Sequence, residues 1–573
     1  MRRRTKLGVG LTTALLTALV LTPAIGGGPA AAVDPATPSR VLLLVIDGMR
    51  ADYLDRYDLP NLEALRASGV GFSRSQVGYM SSITVISHNV IASGQLPKHQ
   101  GWSNEIFRDT ENALGGGAGG LYVMSSAACD DFRLLTTHEG YPKLADYLDA
   151  LETDGDARFV SIATKDRSAC GVGQPVANGS NDMIVGMARL SAPGVTCDGI
   201  LHRWRVPRGA NIPTGPGDIG EECGRWYVNS TLDYGTLSTS PAWLYPLDGN
   251  RFVTGFDPVR KGGDVWSTDA ALKVMRDDFS DADEDDWRGL FVGLAGPDKM
   301  AHMWGPDDDV TGPTATDAMI HLPGALATVD EQVGRLLDEL EAEGILDDTL
   351  IVVTADHGMT EAESFHGRPG VANVTGQGDL NWYFGAETGS RADESYVSPS
   401  PAIAALGQRI GSNLAFSYQD THVAVWLKSG TKAQRSAAAV AMRQLPDAIA
   451  TYRLNGAMDG YVRDWVSPTM ASSERSWFNR NAQRLINTMA SPNNADAVAL
   501  LANDVTYSVQ GDHGGHQRDN QMIPIFFSGP GVPSGVTSDV PIGNVDILPT
   551  ILELLGVAPT APLDGVAFDL RAA

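Results

Sequence analysis

The sequence predicts an α/β fold, a three-layer α/β/α sandwich built on a central, mostly parallel sheet with an inserted cap region. Three observations lead there. Short runs rich in Val, Ile, Leu and Phe recur between turn residues without polar alternation, as in strands buried on both faces. Between them lie stretches whose apolar residues fall three and four apart, the spacing of one-sided helices. Acidic residues and histidines stand just past several of the apolar runs, where an open α/β sheet places its ligands.

In chain order, the first segment reads Met1-Arg2-Arg3-Arg4-Thr5-Lys6, then an apolar stretch from Leu7 to Leu21, then Ala30-Ala31-Ala32. That is the charged, apolar and small-residue order of a cleavable export signal over residues 1–32. A permanent anchor is the competing reading, but the stretch is short for a membrane span and no other segment approaches that length. The triple arginine also suits twin-arginine export. The remainder, 33–573, reads as one catalytic domain. Its strand-like runs are Val41–Ile46, Phe159–Ala163, Leu290–Leu294, Leu350–Thr354, His422–Leu427 and Ile523–Phe527, which together make the central sheet. The clearest helical face is Leu326, Val329, Val333, Leu336, Leu337 and Leu340, with Gly344 placed for a C-cap.

Three regions read as additions to this scaffold: a glycine-rich surface loop over Asn112–Gly120, an irregular cysteine-bearing stretch over Cys170–Cys223, and a cap over residues 367–503. The cap contains one strand-like run and an Ala-rich helical stretch, Lys432–Ala448. The acidic run Asp281–Asp286 lacks the alternation and glycine of a calcium loop and reads as a solvated turn.

Lys and Arg number 43 against 69 Asp and Glu, a formal net charge of -26. Such a field repels nucleic-acid backbones and anionic membranes, so duplex binding and stable membrane insertion are not expected. Cys129, Cys170, Cys197 and Cys223 in an exported chain read as two disulfides of open connectivity. A four-cysteine zinc site is the rival, but it calls for closer pairs.

Five motifs carry the chemistry. Asp47 ends the first apolar run and precedes Gly48, so its carboxylate faces the crevice or caps a helix. Thr84, in Ser81-Ser82-Ile83-Thr84, opens a helical stretch, where the dipole and a nearby metal favour its alkoxide. A plain N-cap by Thr84, Ser81 or Ser82 is the alternative. Asp298 and His302 lie four apart just after Leu290–Leu294, a spacing that converges on one cation and suits zinc. Asp356 and His357 end Leu350–Thr354 as adjacent ligand types. In Gly511-Asp512-His513-Gly514-Gly515-His516, the histidine before the glycine is the ligand, and His516 is its competitor, read as a supporting group.

Together and in this order, these motifs resemble the alkaline phosphatase superfamily, especially the nucleotide pyrophosphatase/phosphodiesterases and the threonine-type bacterial alkaline phosphatases. The resemblance covers about residues 40–110, 155–170, 285–360 and 505–570, including the tail Asn544-Val545-Asp546-Ile547-Leu548-Pro549-Thr550. It implies an alkaline-phosphatase-like fold and two zinc ions per chain. One would be held by Asp47, Asp356 and His357 beside Thr84, the other by Asp298, His302 and His513. It further implies attack by Thr84, a phosphothreonine intermediate and a small-molecule phosphate ester as substrate, with Asn104 donating to a phosphoryl oxygen.

Thr164-Lys165-Asp166-Arg167 resembles the Lys-x-Arg element of the threonine-type phosphatases, in which both cations contact phosphoryl oxygens. That implies a monoesterase with possible diesterase side activity, while an ordinary charged loop is the plainer reading. Phosphodiesterases and phosphonate hydrolases share the scaffold. Sulfatases are disfavoured, because the stretch around Thr84 has neither the proline nor the arginine of their maturation motif. A dead scaffold used for binding is disfavoured by the intact ligand set. His88 and His99 lie near the nucleophile in sequence, in orienting or packing roles, and His138, His202, His321, His366 and His422 read as structural or exposed. The aromatics Trp204, Trp226, Tyr227, Trp243, Trp382 and Tyr383 stack on a base or sugar, or pack the cap.

Overall fold

The computed structural model describes residues 37–124, 129–152, 157–173, 182–186, 242–244, 253–255, 261–276, 287–306, 315–361, 364–365, 401–507 and 511–570. The expected leader, Cys197, Cys223, the acidic run Asp281–Asp286, His202, His366 and the aromatics Trp204, Trp226, Tyr227, Trp382 and Tyr383 lie outside them. So do the side chains of Cys129, Trp243 and His321. Among the described residues no cysteine is a free thiol, and no helix is long and apolar enough to cross a membrane.

The fold is mixed α/β around a large, mostly parallel sheet. Its strands are β1 (Arg40–Ile46), β2 (Val70–Phe72), β3 (Arg158–Ala163), β4 (Met183–Gly186), β5 (Trp287–Leu294) and β6 (Thr349–Thr354). A second group follows: β7 (Leu414–Gln419), β8 (His422–Leu427), β9 (Ala448–Leu454), β10 (Tyr461–Val466) and β11 (Ala497–Leu501). Then come β12 (Ile525–Ser528) and β13 (Val536–Ser538). The central sheet runs β13-β2-β12-β6-β1-β5-β3-β4. β6, β1, β5, β3 and β4 are mutually parallel. β12 runs against both β6 and β2. Successive side chains of a strand point to opposite faces, and every residue from Val41 to Ile46 is at most 1% exposed, so both faces of β1 are covered.

The helices bearing on site and core are α1 (Thr84–Ser93), α2 (Asp166–Gly173), α3 (Lys261–Met275), α4 (Gly296–Trp304), α5 (Ala315–Ala342), α6 (Pro401–Ile410), α7 (Lys432–Met442) and α8 (Ser472–Asn487). Of the expected face on α5, Leu326, Val329, Val333, Leu336 and Leu340 are buried and Leu337 is partly buried at its margin.

Two expectations need correction. The run His422–Leu427 is a strand, but of a separate antiparallel sheet ordered β7-β8-β11-β9-β10 rather than of the central one. Its unbroken apolar character has a local cause, since this sheet too is covered on both faces. Val423, Val425 and Leu427 pack with Ile403, Leu406 and Met442 of α6 and α7. Ala424 and Trp426 pack with Phe478, Leu485 and Ile486 of α8. The helix expected over Lys432–Ala448 stops at Met442, because Ala448 is needed to pair with Leu501. The glycine-rich stretch is the tip of a hairpin joining Ile106–Asp109 to Gly120–Val123. The Asp109 carboxylate anchors it by accepting the N–H groups of Ala113 and Leu114.

Candidate active site

The carboxyl ends of the parallel strands collect the predicted groups. Asp47 follows β1, Asp298 stands in the first turn of α4 after β5, Asp356 and His357 follow β6, and Lys165 follows β3. Backbone bonds lock these ends together: Asp47 N–H donates to Leu294 O at 2.9 Å, and Asp298 N–H to Asp47 O at 3.0 Å. Gly48 has φ +78, and a Cβ there would lie 2.9 Å from the Asp298 Cα, so only glycine lets the two chain segments approach this closely. Asp264 on α3 accepts the N–H groups of Ala295 and Gly296, which sets the start of α4. Thr84 is the first residue of α1, and no side chain caps that helix. Ser81, three residues before it, is left-handed at φ +56, and the Ser82 carbonyl meets His513 Nδ1 at 3.0 Å.

The ligand-type residues are buried and face one another. Asp298, His302 and His513 present ligand atoms all within 4.8 Å of one another, and so do Asp47, Asp298 and His357. Asp356 Oδ2 lies 3.2 Å from His357 Nε2. The rings of His357 and His513 stack at 3.4 Å. His302, His357 and His513 each direct Nδ1 to a backbone carbonyl, of Gly511, Gly358 and Ser82 respectively. A carbonyl only accepts, so each Nδ1 carries a proton and each Nε2 is turned into the cluster, the orientation of imidazoles that bind a cation. Asp47 Oδ1, Asp298 Oδ1, Asp356 Oδ2 and His357 Nε2 are buried without a hydrogen bond. The donor set therefore fits divalent metal.

Lys165 is the cation found among these carboxylates. Its Nζ lies 2.6 Å from Asp47 Oδ2 and 2.6 Å from Asp298 Oδ2, and it donates to Thr84 Oγ1 at 3.2 Å. Burial, reinforced by Asp298 and Asp356, pushes the Asp47 carboxyl up. Burial acts the same way on Asp298 and Asp356, but His302 and Lys165 beside the first, and His357 beside the second, hold both below the usual carboxylate range. Burial, with His357 and His302 nearby, keeps His513 neutral.

Arg167, two residues on in α2, is partly exposed, and its charge acts against that of Lys165. Asn104 is buried and makes its hydrogen bonds elsewhere: Oδ1 accepts the Glu105 N–H at 2.7 Å, and Nδ2 meets His422 Nε2 at 3.3 Å. His422 was expected to be structural or exposed. It is fully buried beside Asn104, with Asp420 behind it. The signal available in the sequence was an acid two residues before a histidine at the start of an apolar run. His88 sits one turn into α1 with Nδ1 on Thr84 O at 2.7 Å. His99 is half-exposed and paired with Asp564. His516 is buried against Phe478. Among the described residues an exposed trio, Glu111, His138 and Glu139, also has ligand spacing.

The family model for type I phosphodiesterase / nucleotide pyrophosphatase matches residues 41–114 and 225–516, well over half of the chain. The chain belongs to this family. It is thereby placed among hydrolases of phosphoric esters, within the alkaline phosphatase superfamily. The Xenopus laevis protein bis(5'-adenosyl)-triphosphatase enpp4 is 32% identical over 68 residues, 12% of this chain and 13% of the relative's length. In structure, a variant of the alkaline phosphatase PafA changed at one threonine, one asparagine, one lysine and one arginine matches with a TM-score of 0.56 at 16% identity. The match covers 94% of this chain and 99% of that one. Human ectonucleotide pyrophosphatase / phosphodiesterase 5 matches with a TM-score of 0.51 at 12% identity, over 93% and 99%.

Proposed function

We propose that the protein is an exported phosphomonoesterase that works through a phosphothreonine on Thr84 at a two-zinc site. The observation that carries this reading is the position of Lys165 Nζ, at 3.2 Å from Thr84 Oγ1 and 2.6 Å from Asp47 and Asp298. Asp47, Asp356 and His357, with Thr84 beside them, would hold one zinc ion. Asp298, His302 and His513 would hold the other, and three carboxylates with three imidazoles suit that metal. Bound there, the ions supply positive charge next to the reacting oxygens.

Thr84 Oγ1 stands at the positive end of α1, and donation from Lys165 favours its deprotonated form. Oγ1 bonds to phosphorus as the ester P–O bond breaks, and the leaving group departs as the alcohol. Water then attacks phosphorus, the P–Oγ1 bond breaks, phosphate leaves and Thr84 regains its proton. Asn104 donates to a non-bridging oxygen, and Lys165 and Arg167 meet the charge that a monoester carries and a diester has replaced by a second ester group. The four residue types changed in the PafA variant are those of Thr84, Asn104, Lys165 and Arg167. In this reading residues 1–32 are the export signal, the cysteines form disulfides, and 367–503 cap the site. The substrate is a small-molecule phosphate ester.

The family's own description favours a second reading, a phosphodiesterase or nucleotide pyrophosphatase in which Lys165 and Arg167 do not touch phosphate. Turnover of p-nitrophenyl phosphate, its bis ester and a thymidine 5′-phosphodiester, with bound metal measured, separates them. Monoester preference lost in Thr84→Ala, Lys165→Ala and Arg167→Ala is expected. Monoester turnover untouched by the lysine and arginine changes moves the assignment to the diesterase reading, and turnover surviving Thr84→Ala removes the nucleophile.

A further inference from the structure

We infer that His422, backed by Asp420, is a positioning residue that orients the Asn104 carboxamide toward the phosphoryl group; this rests on the reading of Asn104 as a phosphoryl donor. The argument begins at the amide. Asn104 Oδ1 accepts the Glu105 N–H at 2.7 Å, which turns the Nδ2 end toward His422 Nε2 at 3.3 Å. An amide nitrogen only donates, so His422 Nε2 must accept, and its ring proton lies on Nδ1. That nitrogen makes no hydrogen bond among the described residues but lies 2.7 Å from Asp420 Oδ1, whose negative charge favours the proton there. With Oδ1 and one N–H of the carboxamide engaged, the second N–H is left for a substrate oxygen, and the amide cannot flip without losing both contacts.

The arm that delivers His422 is rigid. Asp420 and Thr421 form the two-residue turn between β7 and β8, and Asp420 and His422 are at most 2% exposed. Asp420 Oδ1 accepts the His422 backbone N–H at 2.7 Å, and Asp420 O accepts from Tyr507 N–H at 2.9 Å. Between them, Thr421 Oγ1 donates to His513 O at 2.9 Å. One turn of the second sheet therefore touches both Asn104 and a ligand-type histidine of the cluster.

The test is a double-mutant comparison of p-nitrophenyl phosphate turnover in the native protein, His422→Leu, Asn104→Ala and the double variant. If His422 acts through Asn104, His422→Leu lowers kcat about tenfold in the native background and has no further effect once Asn104 is alanine. His422→Gln, whose Oε1 can still accept, restores most of the activity. An equal fold-loss in both backgrounds overturns the inference, because a merely structural role is indifferent to residue 104. Asn104→Ala without any loss overturns the donor role of Asn104 itself, which is a failure of the underlying reading. If His422→Leu does not accumulate as folded protein, Asp420→Asn in the same two backgrounds carries the comparison, with the same outcomes deciding.

Discussion

Lys143 is fully buried, and its Nζ donates to the Gly171 carbonyl in the last turn of α2 at 2.7 Å. Burial pushes its ammonium down to about 7, against a smaller opposing pull from Asp146. In the unfolded chain the same group titrates near ~10.4. Between those values the unfolded state binds the extra proton, so this lysine makes stability rise with pH from about 7 to ~10.4, and below 7 its contribution is flat. Denaturant unfolding of native protein and Lys143→Met at pH 7, 8 and 9 is expected to give a difference that shifts in favour of the native chain by up to ~1.4 kcal/mol per pH unit. Parallel profiles would show that the ammonium is solvated in the folded protein. Nothing in Tyr141-Pro142-Lys143-Leu144 distinguishes this lysine from a surface one. Its burial is set by α2 packing over it, a contact between residues 28 apart in the chain.

At the scale of elements, α5 shows what is legible and why. Its apolar residues keep a spacing of three and four over four turns, and Gly344 ends it in a Schellman arrangement. Ile345 N–H donates to Leu340 O at 2.9 Å and Gly344 N–H to Glu341 O at 3.0 Å, with φ +71 at the glycine. No atom lies within 4 Å of where a Cβ would stand, so substitution there is limited by backbone conformation alone. Gly344→Val is expected to cost about 1–2 kcal/mol in unfolding free energy and Gly344→Asn clearly less. Equal costs for the two would mean that the cap is dispensable. α7 and the second sheet were less legible. Alanine has high helix propensity and is also small enough for a tightly covered strand, so Ala-rich sequence around Ala448 and Ala497 carries no period that separates the two. β10, at the sheet's edge with Val462 exposed, offers no apolar run to notice.

At the scale of the molecule, the cluster was legible because Asp47, Asp298, Asp356 and His357 stand just past strands, each marked by a buried run before it. Asn104 and His422 are placed by packing between distant segments, so their sequence motifs name the residue types but not their partners. The assembled cluster also has a cost. Asp47, Asp298 and Asp356 are all buried, with Lys165 between two of them, and burial together with the other two carboxylates pushes the Asp47 carboxyl up. A divalent cation that binds only the folded cluster relieves this repulsion and stabilises the whole chain by mass action, about 4 kcal/mol at a thousandfold excess over its dissociation constant. Exhaustive chelation is therefore expected to lower the thermal midpoint, and added zinc to restore it. Asp47 belongs to one of the ligand groups and is the carboxyl pushed up, so Asp47→Asn should shrink the zinc-induced shift while leaving the chelated protein no less stable than the chelated native chain. A midpoint insensitive to chelation and to zinc would separate the carboxylate cluster from metal binding. A chelated Asp47→Asn protein less stable than the chelated native chain would instead make the Lys165–Asp47 pair, at 2.6 Å, a structural salt bridge in its own right.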